Sequence, residues 1–430
     1  MLRAEGGAGV NRPMKRAENV DLRFAAPPSK SYTHRALLIG ALAKGTTVIR
    51  NPLVSVDTAL TMRALVELGI EIEAGEDFLV VKGCNGKFSP GKEVILDLEN
   101  SGTSLRLLAS AALFCDAPVT LTGSERMQER PIGPLADALV AAGGKVTYLN
   151  RKGFPPIRVE GRFFGGEVPV DGAVSSQFVS SLLLVAPYAE QETVIFLQQD
   201  PASRSYVDVT IQVMEQFGVK VWRTGYRTFR VGNRARYTGR EYTVEGDYSS
   251  ASYFLAIPAV CGGTVTVTGL NPVSTQGERR FVSALAAMGC TVTLDPESIT
   301  VTRKEPLHGI TIDMSTAPDT VQTLAIVAAL AKGRTMITGI DHLAYKESNR
   351  LEATARLLKS LGAHVEVTRD SLEIVPAILH GGTIDPQNDH RTAMSFAILG
   401  LAVGDITITD AGCVNKSFPG FWEALDKAGL

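Results

Sequence analysis

One phrase recurs six times along the chain: a helical stretch that ends in a glycine and is followed by a β-rich run, as in LVELGIEIE and LAAMGCTVT. Glycine after the last helical turn readily takes the left-handed conformation that caps a helix. Repetition at a near-constant spacing predicts six copies of one α/β unit rather than a chance succession of elements. The six glycines lie 67 to 75 residues apart, at Gly69, Gly143, Gly218, Gly289, Gly362 and Gly429.

A second phrase precedes each of these glycines. It consists of an apolar segment, a polar break and a short strand with alternating Val, Ile and Thr, as in AKGTTVIRN and CGGTVTVTG. The apolar segments, such as ALLIGALA and TLAIVAALA, are apolar on nearly all sides, which predicts buried helices. Each unit is therefore predicted to run helix, strand, helix, strand, strand.

The two chain ends indicate how the units are grouped. The sixth unit stops at Leu430, after its second helix, and residues 19–25 (NVDLRFA) read as a strand without a unit of their own. We therefore expect the N-terminal segment to complete the sixth unit. This predicts a domain of three repeats over residues 28–244 and a discontinuous domain of three repeats over residues 1–27 and 245–430. Residues 1–16 lack an apolar core, which predicts a loose leader rather than a secretory signal.

Composition narrows the class of protein. The 430 residues are 45% hydrophobic and 20% charged, with a net charge of −2, so neither wholesale disorder nor a basic nucleic-acid sleeve is indicated. The five cysteines form no CxxC pair, which argues against a disulfide framework or a metal site. No apolar run is long enough to span a membrane. These features predict a cytoplasmic protein with no membrane or nucleic-acid partner, acting as a monomer.

A polar cluster precedes each buried helix. Capping accounts for most of these residues, but a helix N-terminus also suits anions because it presents free N–H groups and a partial positive charge. A site for a phosphate and a carboxylate would need several cations. Two carboxylates, Asp319 and Glu347, stand beside such cations and are candidates for proton transfer. The cations at these turns are Lys30, Arg35, Arg106, Arg130, Lys346, Arg350, Arg391 and Lys416.

Eight segments together resemble the 5-enolpyruvylshikimate-3-phosphate synthase (EPSP synthase) family of enolpyruvyl transferases. The resemblance covers residues 22–421, and its landmarks are PPSKSYTHRALL, NSGTSLRLL, ERPIGPL, SSQFVSSLLL, VEGDYSSASYF, KESNRL, DHRTAM and NKSFPGF. It implies an α/β fold: a two-domain inside-out α/β barrel of six βαβαββ repeats, three per domain, with buried helices. It further implies transfer of the enolpyruvyl group of phosphoenolpyruvate to the 5-hydroxyl of shikimate 3-phosphate. Phosphate is released by addition and elimination through a tetrahedral intermediate, without a metal or organic cofactor.

The resemblance also implies roles for individual residues. Asp319 is expected to act as the base toward the 5-hydroxyl, and Glu347 as the acid–base group at the enolpyruvyl methylene, with Lys30 as a third catalytic residue. Shikimate 3-phosphate is expected to bind Lys30, Ser31, Arg35, Ser175, Ser176, Gln177, Ser203, Tyr206, Asp319, His342 and Lys346. Phosphoenolpyruvate is expected to bind Lys30, Gly102, Arg130, Gln177, Arg350, His390, Arg391 and Lys416. Because each predicted domain holds only half of this set, we expect the ligands to draw the domains together.

Two other functions compete with this interpretation. The sister enzyme that acts on UDP-N-acetylglucosamine resembles the chain in architecture but typically carries a reactive cysteine in a mobile loop. Here Cys115 ends an apolar helix, in LFCDAP, which is typical of a core position. A ring-forming DNA clamp, which also uses repeated α/β units, would need basic residues along one continuous surface. The cations of this chain concentrate at turns among serines and carboxylates, which favours a small anionic ligand.

Overall fold

The computed structural model describes residues 10–430. The chain forms two compact units. The central unit comprises Pro28–Val244, and the terminal unit comprises the described residues up to Pro27 together with Glu245–Leu430. Each unit has its own hydrophobic core. Among residues 10–430, every helix is too short or too polar to cross a lipid bilayer.

The helices alternate with short strands throughout both units. The α-helices are α1 (Lys30–Leu42), α2 (Val56–Glu67), α3 (Gly102–Ala111), α4 (Glu125–Gln128), α5 (Gly133–Ala141), α6 (Ser176–Val185), α7 (Ser205–Gln216), α8 (Tyr248–Cys261), α9 (Arg280–Ala287), α10 (Val321–Ala328), α11 (Arg350–Ser360), α12 (His390–Val403) and α13 (Phe421–Lys427). Short 3-10 helices cover Ala112–Phe114, Ala186–Tyr188, Gly277–Arg279, Pro318–Thr320, Asp341–Tyr345 and Ala411–Lys416.

The strands are three to seven residues long. They are β1 (Arg12–Met14), β2 (Val20–Ala25), β3 (Lys44–Arg50), β4 (Glu71–Ala74), β5 (Phe78–Cys84), β6 (Val94–Asp97), β7 (Val119–Thr122), β8 (Gly144–Tyr148), β9 (Ile157–Gly161), β10 (Gly166–Pro169), β11 (Thr193–Phe196), β12 (Trp222–Thr224), β13 (Thr228–Val231), β14 (Glu241–Thr243), β15 (Gly263–Thr268), β16 (Thr291–Asp295), β17 (Ser298–Arg303), β18 (Thr311–Asp313), β19 (Thr335–Thr338), β20 (His364–Val367), β21 (Ser371–Val375), β22 (Gly382–Ile384) and β23 (Ile406–Ile408).

Within residues 10–430 the strands form six small sheets, one for each predicted repeat. The central unit has the strand orders β14-β3-β5-β4, β6-β7-β9-β8 and β10-β11-β13-β12. The terminal unit has β16-β17-β15-β2, β18-β19-β21-β20 and β1-β23-β22. In the second repeat, β6 and β7 pair in parallel across α3, and β7, β9 and β8 pair antiparallel. This βαβαββ pattern confirms the six-repeat α/β prediction.

The predicted helix caps and buried helices are confirmed. All six repeat glycines have φ between 76° and 110°, the left-handed region in which a Cβ is disfavoured. Every residue of α8 is buried, and so are nearly all residues of α1 and α12. Helices that are apolar all round are stable only with packing on every side, which neighbouring helices and strands supply, as where α12 packs against α8, α10 and β23.

The N-terminal segment differs from the prediction in two respects. Residues 20–25 form β2, which pairs in parallel with β15 and so completes the fourth repeat rather than the sixth. The sixth sheet is instead completed by β1, which pairs antiparallel with β23. Part of the predicted loose leader is therefore an ordered strand, with Met14 opposite Ile406, while residues 1–9 lie outside the described residues. The short RPM strand carries no alternating pattern that would have revealed it.

Candidate active site

Lys30 begins α1 and is held by a buried carboxylate. Its Nζ lies 2.9 Å from Oδ2 of Asp57, in the first turn of α2, whose side chain is only 2% exposed. Ser55 fixes the start of α2, because its side chain and that of Thr58 form a reciprocal capping box. An ion pair removed from water in this way holds the ammonium group in one position.

Arg35 lies one turn further along α1 and is buried. Its Nε donates to Thr210 Oγ1 at 2.8 Å, and its terminal nitrogens donate to the carbonyl oxygens of Ser31 and Tyr206 at 2.8 and 3.0 Å. Burial lowers the pKa of Arg35 to about 10. Three of the predicted shikimate 3-phosphate residues are thus brought together, although a contact between Arg35 and substrate stays a prediction.

Arg130 packs against the N-terminus of α3. Its Nη1 donates to the carbonyl oxygen and to the side-chain oxygen of Asn100, at 3.1 and 3.2 Å. A Cβ added at Gly102 would stand 2.6 Å from Arg130 Nη2, so a larger residue here would shift the guanidinium. The free backbone N–H groups of the α3 N-terminus and this cation therefore occupy one small region, which suits an anion.

Gln177 joins α6 to the same region. Its Oε1 accepts from Arg106 Nη1 at 2.7 Å, and its Nε2 donates to Thr103 Oγ1 at 2.9 Å. Ser175 caps α6 by accepting from the Gln177 backbone N–H at 3.2 Å. The side chains of α3 and α6 are therefore held in register at their N-terminal ends.

Two buried serines complete the predicted residues of the central unit. Ser176 is the first residue of α6. Ser203 precedes α7 with φ of 54°, a conformation that costs free energy for a residue with a Cβ. Its hydroxyl oxygen is buried and forms no hydrogen bond within the part of the chain that the structure describes. A buried hydroxyl without a hydrogen-bond partner can donate a hydrogen bond to a ligand oxygen.

Arg350 organises the candidate residues of the terminal unit. It is 1% exposed, and its Nε donates to Asp389 Oδ2 at 2.8 Å. Its Nη1 donates to Asp319 Oδ1 at 3.0 Å, and its Nη2 donates to Glu347 Oε2 at 2.7 Å. Burial acts to lower the pKa of Arg350, but the charges of the three carboxylates outweigh it and raise the pKa above its ordinary value. The guanidinium is therefore permanently charged.

Asp319 also binds a second guanidinium. Arg391, in the first turn of α12, donates from Nη2 to Asp319 Oδ2 at 2.6 Å and from Nη1 to the Tyr253 hydroxyl at 3.3 Å. Burial raises the pKa of Tyr253 to about 12, so this hydroxyl stays protonated.

The side chain of Asp319 is 17% exposed and that of Glu347 is 10% exposed, so both carboxylates lie near the surface of the unit. Both remain reachable by a small molecule.

The other predicted residues of the terminal unit lie on neighbouring segments. His390, the first residue of α12, is completely buried, and its Nδ1 lies 3.8 Å from Asp389 Oδ1. His342 is buried, and its Nδ1 lies 3.5 Å from Asp341 Oδ1. Lys346 and Lys416 are partly exposed at the ends of two 3-10 helices. Among residues 10–430, no group of three or more His, Cys, Asp or Glu side chains is arranged to hold a metal ion.

Comparison with known proteins assigns these features to one family. A family model described as EPSP synthase (3-phosphoshikimate 1-carboxyvinyltransferase) matches residues 15–425. The chain belongs to the EPSP synthase family. The match includes all of the described candidate residues of both units.

Relatives and solved structures agree with the EPSP synthase assignment. The chain is 59% identical over 411 residues to the 3-phosphoshikimate 1-carboxyvinyltransferase of Methanoculleus marisnigri, covering 96% of this chain and 97% of that protein. It is 43% identical over 403 residues to the protein of the same name from Serratia proteamaculans, covering 93% and 94%. An EPSP synthase structure from Acinetobacter baumannii matches with a TM-score of 0.81 and 28% identity, over 98% of both chains.

Sequence reasoning missed the residues that hold the EPSP synthase candidates in place. Asp57 fixes Lys30, Asn100 fixes Arg130, and Asp389 binds Arg350 through two nitrogens. Each stands at or near the start of a helix, where an Asp or Asn is ordinarily explained by capping. The sequence could have indicated these residues only through their positions, because each lies in or near a polar cluster that also holds a predicted cation or is followed by a cluster that does.

Proposed function

We propose that this chain transfers the enolpyruvyl group of phosphoenolpyruvate to the 5-hydroxyl of shikimate 3-phosphate and releases phosphate. The observation that carries the proposal is the arrangement around Arg350. One fully buried cation holds Asp319 and Glu347 at its two terminal nitrogens, Nη1 and Nη2, and both carboxylates remain partly exposed. Two poised carboxylates beside two arginines suit a reaction of an anionic substrate in which protons move at two different atoms.

The proposed reaction has two steps that balance in atoms. In the addition step, Asp319 removes the 5-hydroxyl proton as the hydroxyl oxygen bonds to the central carbon of phosphoenolpyruvate. In the same step, Glu347 delivers a proton to the methylene carbon. In elimination, Glu347 takes a proton back from the resulting methyl group. The bond from the central carbon to the phosphate oxygen then breaks, and the phosphate leaves with the proton that Asp319 had taken from the hydroxyl. Arg350, Arg391, Arg130 and the lysines stabilise the phosphate and carboxylate charges throughout.

We propose that each unit contributes residues to this reaction. The central unit supplies Lys30, Arg130, Gln177 and the serines, whereas the terminal unit supplies the carboxylates and the remaining cations. Neither set alone holds both a phosphate site and two proton-transfer groups. Because one chain supplies both sets of residues, we also propose that the active enzyme is a monomer. The free state of all five cysteines supports a reducing, cytoplasmic location.

The alternatives weighed from the sequence are not favoured. The family model and the curated relatives name EPSP synthases over nearly the whole chain. Cys115 follows a 3-10 helix, and burial raises the pKa of its thiol to about 12. A thiol that stays protonated is a poor nucleophile, unlike the reactive cysteine expected of the UDP-N-acetylglucosamine enzyme. No observation favours a DNA clamp.

We expect Gly102→Ala to raise KM for phosphoenolpyruvate, because its Cβ would stand 2.6 to 2.9 Å from three atoms of the Arg130 guanidinium. Displacing a binding group by about 1 Å costs about 10²-fold in rate. Steady-state kinetics would measure KM for each substrate. Gly232→Ala is the control, since nothing lies within 4 Å of a Cβ there and its φ is not positive. Equal KM values for the two variants would contradict the assignment of Gly102 to this site.

Acid sensitivity of folding is expected to depend on His342. Burial lowers the pKa of His342 below its ordinary value of 6.5, so the unfolded chain takes up this proton at a higher pH than the folded chain. The free energy of unfolding therefore falls as pH drops through 6.5 toward the folded pKa. The hydrogen bond from His342 lowers the pKa of Asp341 below its ordinary value of 3.8. The contribution of Asp341 to the free energy of unfolding is therefore lost at a lower pH than the contribution of His342.

His342→Asn should remove part of this decline in stability between about pH 7 and pH 5, since it removes a group that titrates near 6.5 when unfolded. Urea unfolding at several pH values measures the effect. His380→Asn, at an exposed position, is the matched control for loss of an imidazole. A His342→Asn variant that loses stability as steeply as the parent chain would contradict the prediction.

A phosphate-release assay tests the proposed function. The purified chain is given phosphoenolpyruvate with shikimate 3-phosphate, or phosphoenolpyruvate with UDP-N-acetylglucosamine. We expect phosphate to appear only with the first pair. Release with the second pair alone, or with neither pair from a folded protein, would overturn the proposal.

A further inference from the structure

Asp389 closes the buried end of the terminal-unit cluster. Its side chain is completely buried and accepts four hydrogen bonds. Oδ2 accepts from Ser348 Oγ at 2.9 Å and from Arg350 Nε at 2.8 Å. Oδ1 accepts from Arg350 Nη2 at 3.2 Å and from the backbone N–H of Arg391 at 3.0 Å, which makes Asp389 the N-cap of α12. This pattern goes beyond capping, which uses one oxygen and needs no cation.

These contacts form a closed ring of four residues. Asp389 binds Arg350, Arg350 binds Asp319, Asp319 binds the Arg391 guanidinium, and the Arg391 backbone returns to Asp389. Asp319 lies at the exposed side of the ring and Asp389 at the buried side. An anion that competes for the two guanidiniums would displace contacts to Asp319, since only that side is reachable. The contacts to Asp389 would then be what keeps the guanidiniums in place.

We infer that Asp389 is a positioning residue that sets the separation and orientation of Arg350 and Arg391 for the phosphoenolpyruvate anion. The inference rests on the proposed function of this site. Asp389 binds Arg350 through two parallel N–H···O contacts, a planar geometry that defines the guanidinium orientation. It acts on Arg391 through the first turn of α12. Without the carboxylate, two Arg350 nitrogens lose a buried acceptor.

The chain offers a matched control in the fourth repeat. Asp247 is the N-cap of α8 as Asp389 is of α12, with its side chain accepting from the Ser249 backbone N–H at 2.8 Å. It is also buried, and its Oδ2 lies 3.4 Å from Ser250 Oγ. The positions that follow Asp247 carry Tyr and Ser, whereas those that follow Asp389 carry His390 and Arg391. Substitution of Asp247 therefore reports the cost of altering a buried cap at a helix start that carries no arginine.

The experiment compares Asp389→Asn and Asp389→Ser with Asp247→Asn and Asp247→Ser. Asn and Ser are both good N-caps, so the helix start is kept in all four variants. We expect the Asp389 variants to raise KM for phosphoenolpyruvate and to lower kcat/KM for it by about 100-fold, as for a binding group misplaced by about 1 Å. The Asp247 variants should keep the KM of the parent chain, whatever their thermal midpoints.

Each outcome decides the matter. Equal KM values for phosphoenolpyruvate in the two pairs would overturn the inference. Failure of both Asp389 variants to fold, with both Asp247 variants folded, would assign Asp389 to stability and also overturn it. Absence of turnover in the parent chain and in the Asp247 variants would instead reject the proposed function itself.

Discussion

Glu347→Gln should lower kcat by about 10²- to 10⁴-fold, the usual contribution of a general acid–base group. The amide keeps an oxygen that can accept from Arg350 Nη2, while Asp389 and Asp319 continue to hold the other guanidinium nitrogens. The variant should therefore fold and bind, but it cannot exchange a proton at the methylene carbon. Stopped assays for kcat, with calorimetry for substrate binding, measure the two effects separately.

Two comparisons sharpen this prediction. Glu352→Gln, at an exposed position in the first turn of α11, should leave kcat unchanged. Asp319→Asn should lower kcat in the same range, but the result is less clean because one amide oxygen cannot serve both Arg350 and Arg391. If Glu347→Gln is folded and binds neither substrate, Glu347 contributes to binding rather than to proton transfer.

Lys30→Ala should reduce kcat/KM by about 30-fold to several thousand-fold. Truncating one partner of a desolvated charge pair costs about 2–5 kcal/mol, and each 1.36 kcal/mol corresponds to about tenfold in rate. The buried carboxylate of Asp57 would lose the ammonium group at 2.9 Å, and the proposed anionic substrates would lose a cation. Lys416→Ala should act in the same direction. Steady-state kinetics on variants with a normal thermal midpoint measures the loss.

A double variant separates the two causes of the Lys30 effect. If the loss came only from removing the ammonium group beside the Asp57 carboxylate, Lys30→Ala combined with Asp57→Asn would recover activity. We expect no recovery, because the substrate contact is absent in both. Lys44→Ala, at an exposed position just after α1, controls for removal of a positive charge. Near-normal kcat/KM in both Lys30→Ala and Lys416→Ala would contradict the site assignment.

Much of the fold followed from local patterns. Gly69 and its five counterparts mark the ends of second helices, and the alternating Thr and Val of β15 mark a strand, because both depend on neighbouring residues alone. Strands of three or four residues, such as β18 and β22, carry too few positions to show a period. The partners of β1 and β2 were not predictable locally, because each pairs with a strand hundreds of residues away.

The site divides in a similar way. Its cations and candidate proton-transfer carboxylates were identified by their positions near the starts of helices, and their individual roles came from resemblance to a family. The residues that hold these side chains in place were not predicted. Asp389 illustrates the reason. Its position before α12 predicts a cap, and the cap is present, but its bonds to Arg350 join residues 39 positions apart. Only the packing of α11 against α12 brings these two side chains together.

The most direct test of the account follows the carbon that changes partners. Phosphoenolpyruvate labelled with ¹³C at the central carbon is mixed with shikimate 3-phosphate and the purified chain, and the label is followed by NMR. We expect the label to move to an enol ether attached at the 5-hydroxyl, with one inorganic phosphate released per transfer. Hydrolysis of phosphoenolpyruvate to pyruvate without transfer, or attachment at another hydroxyl, would contradict it.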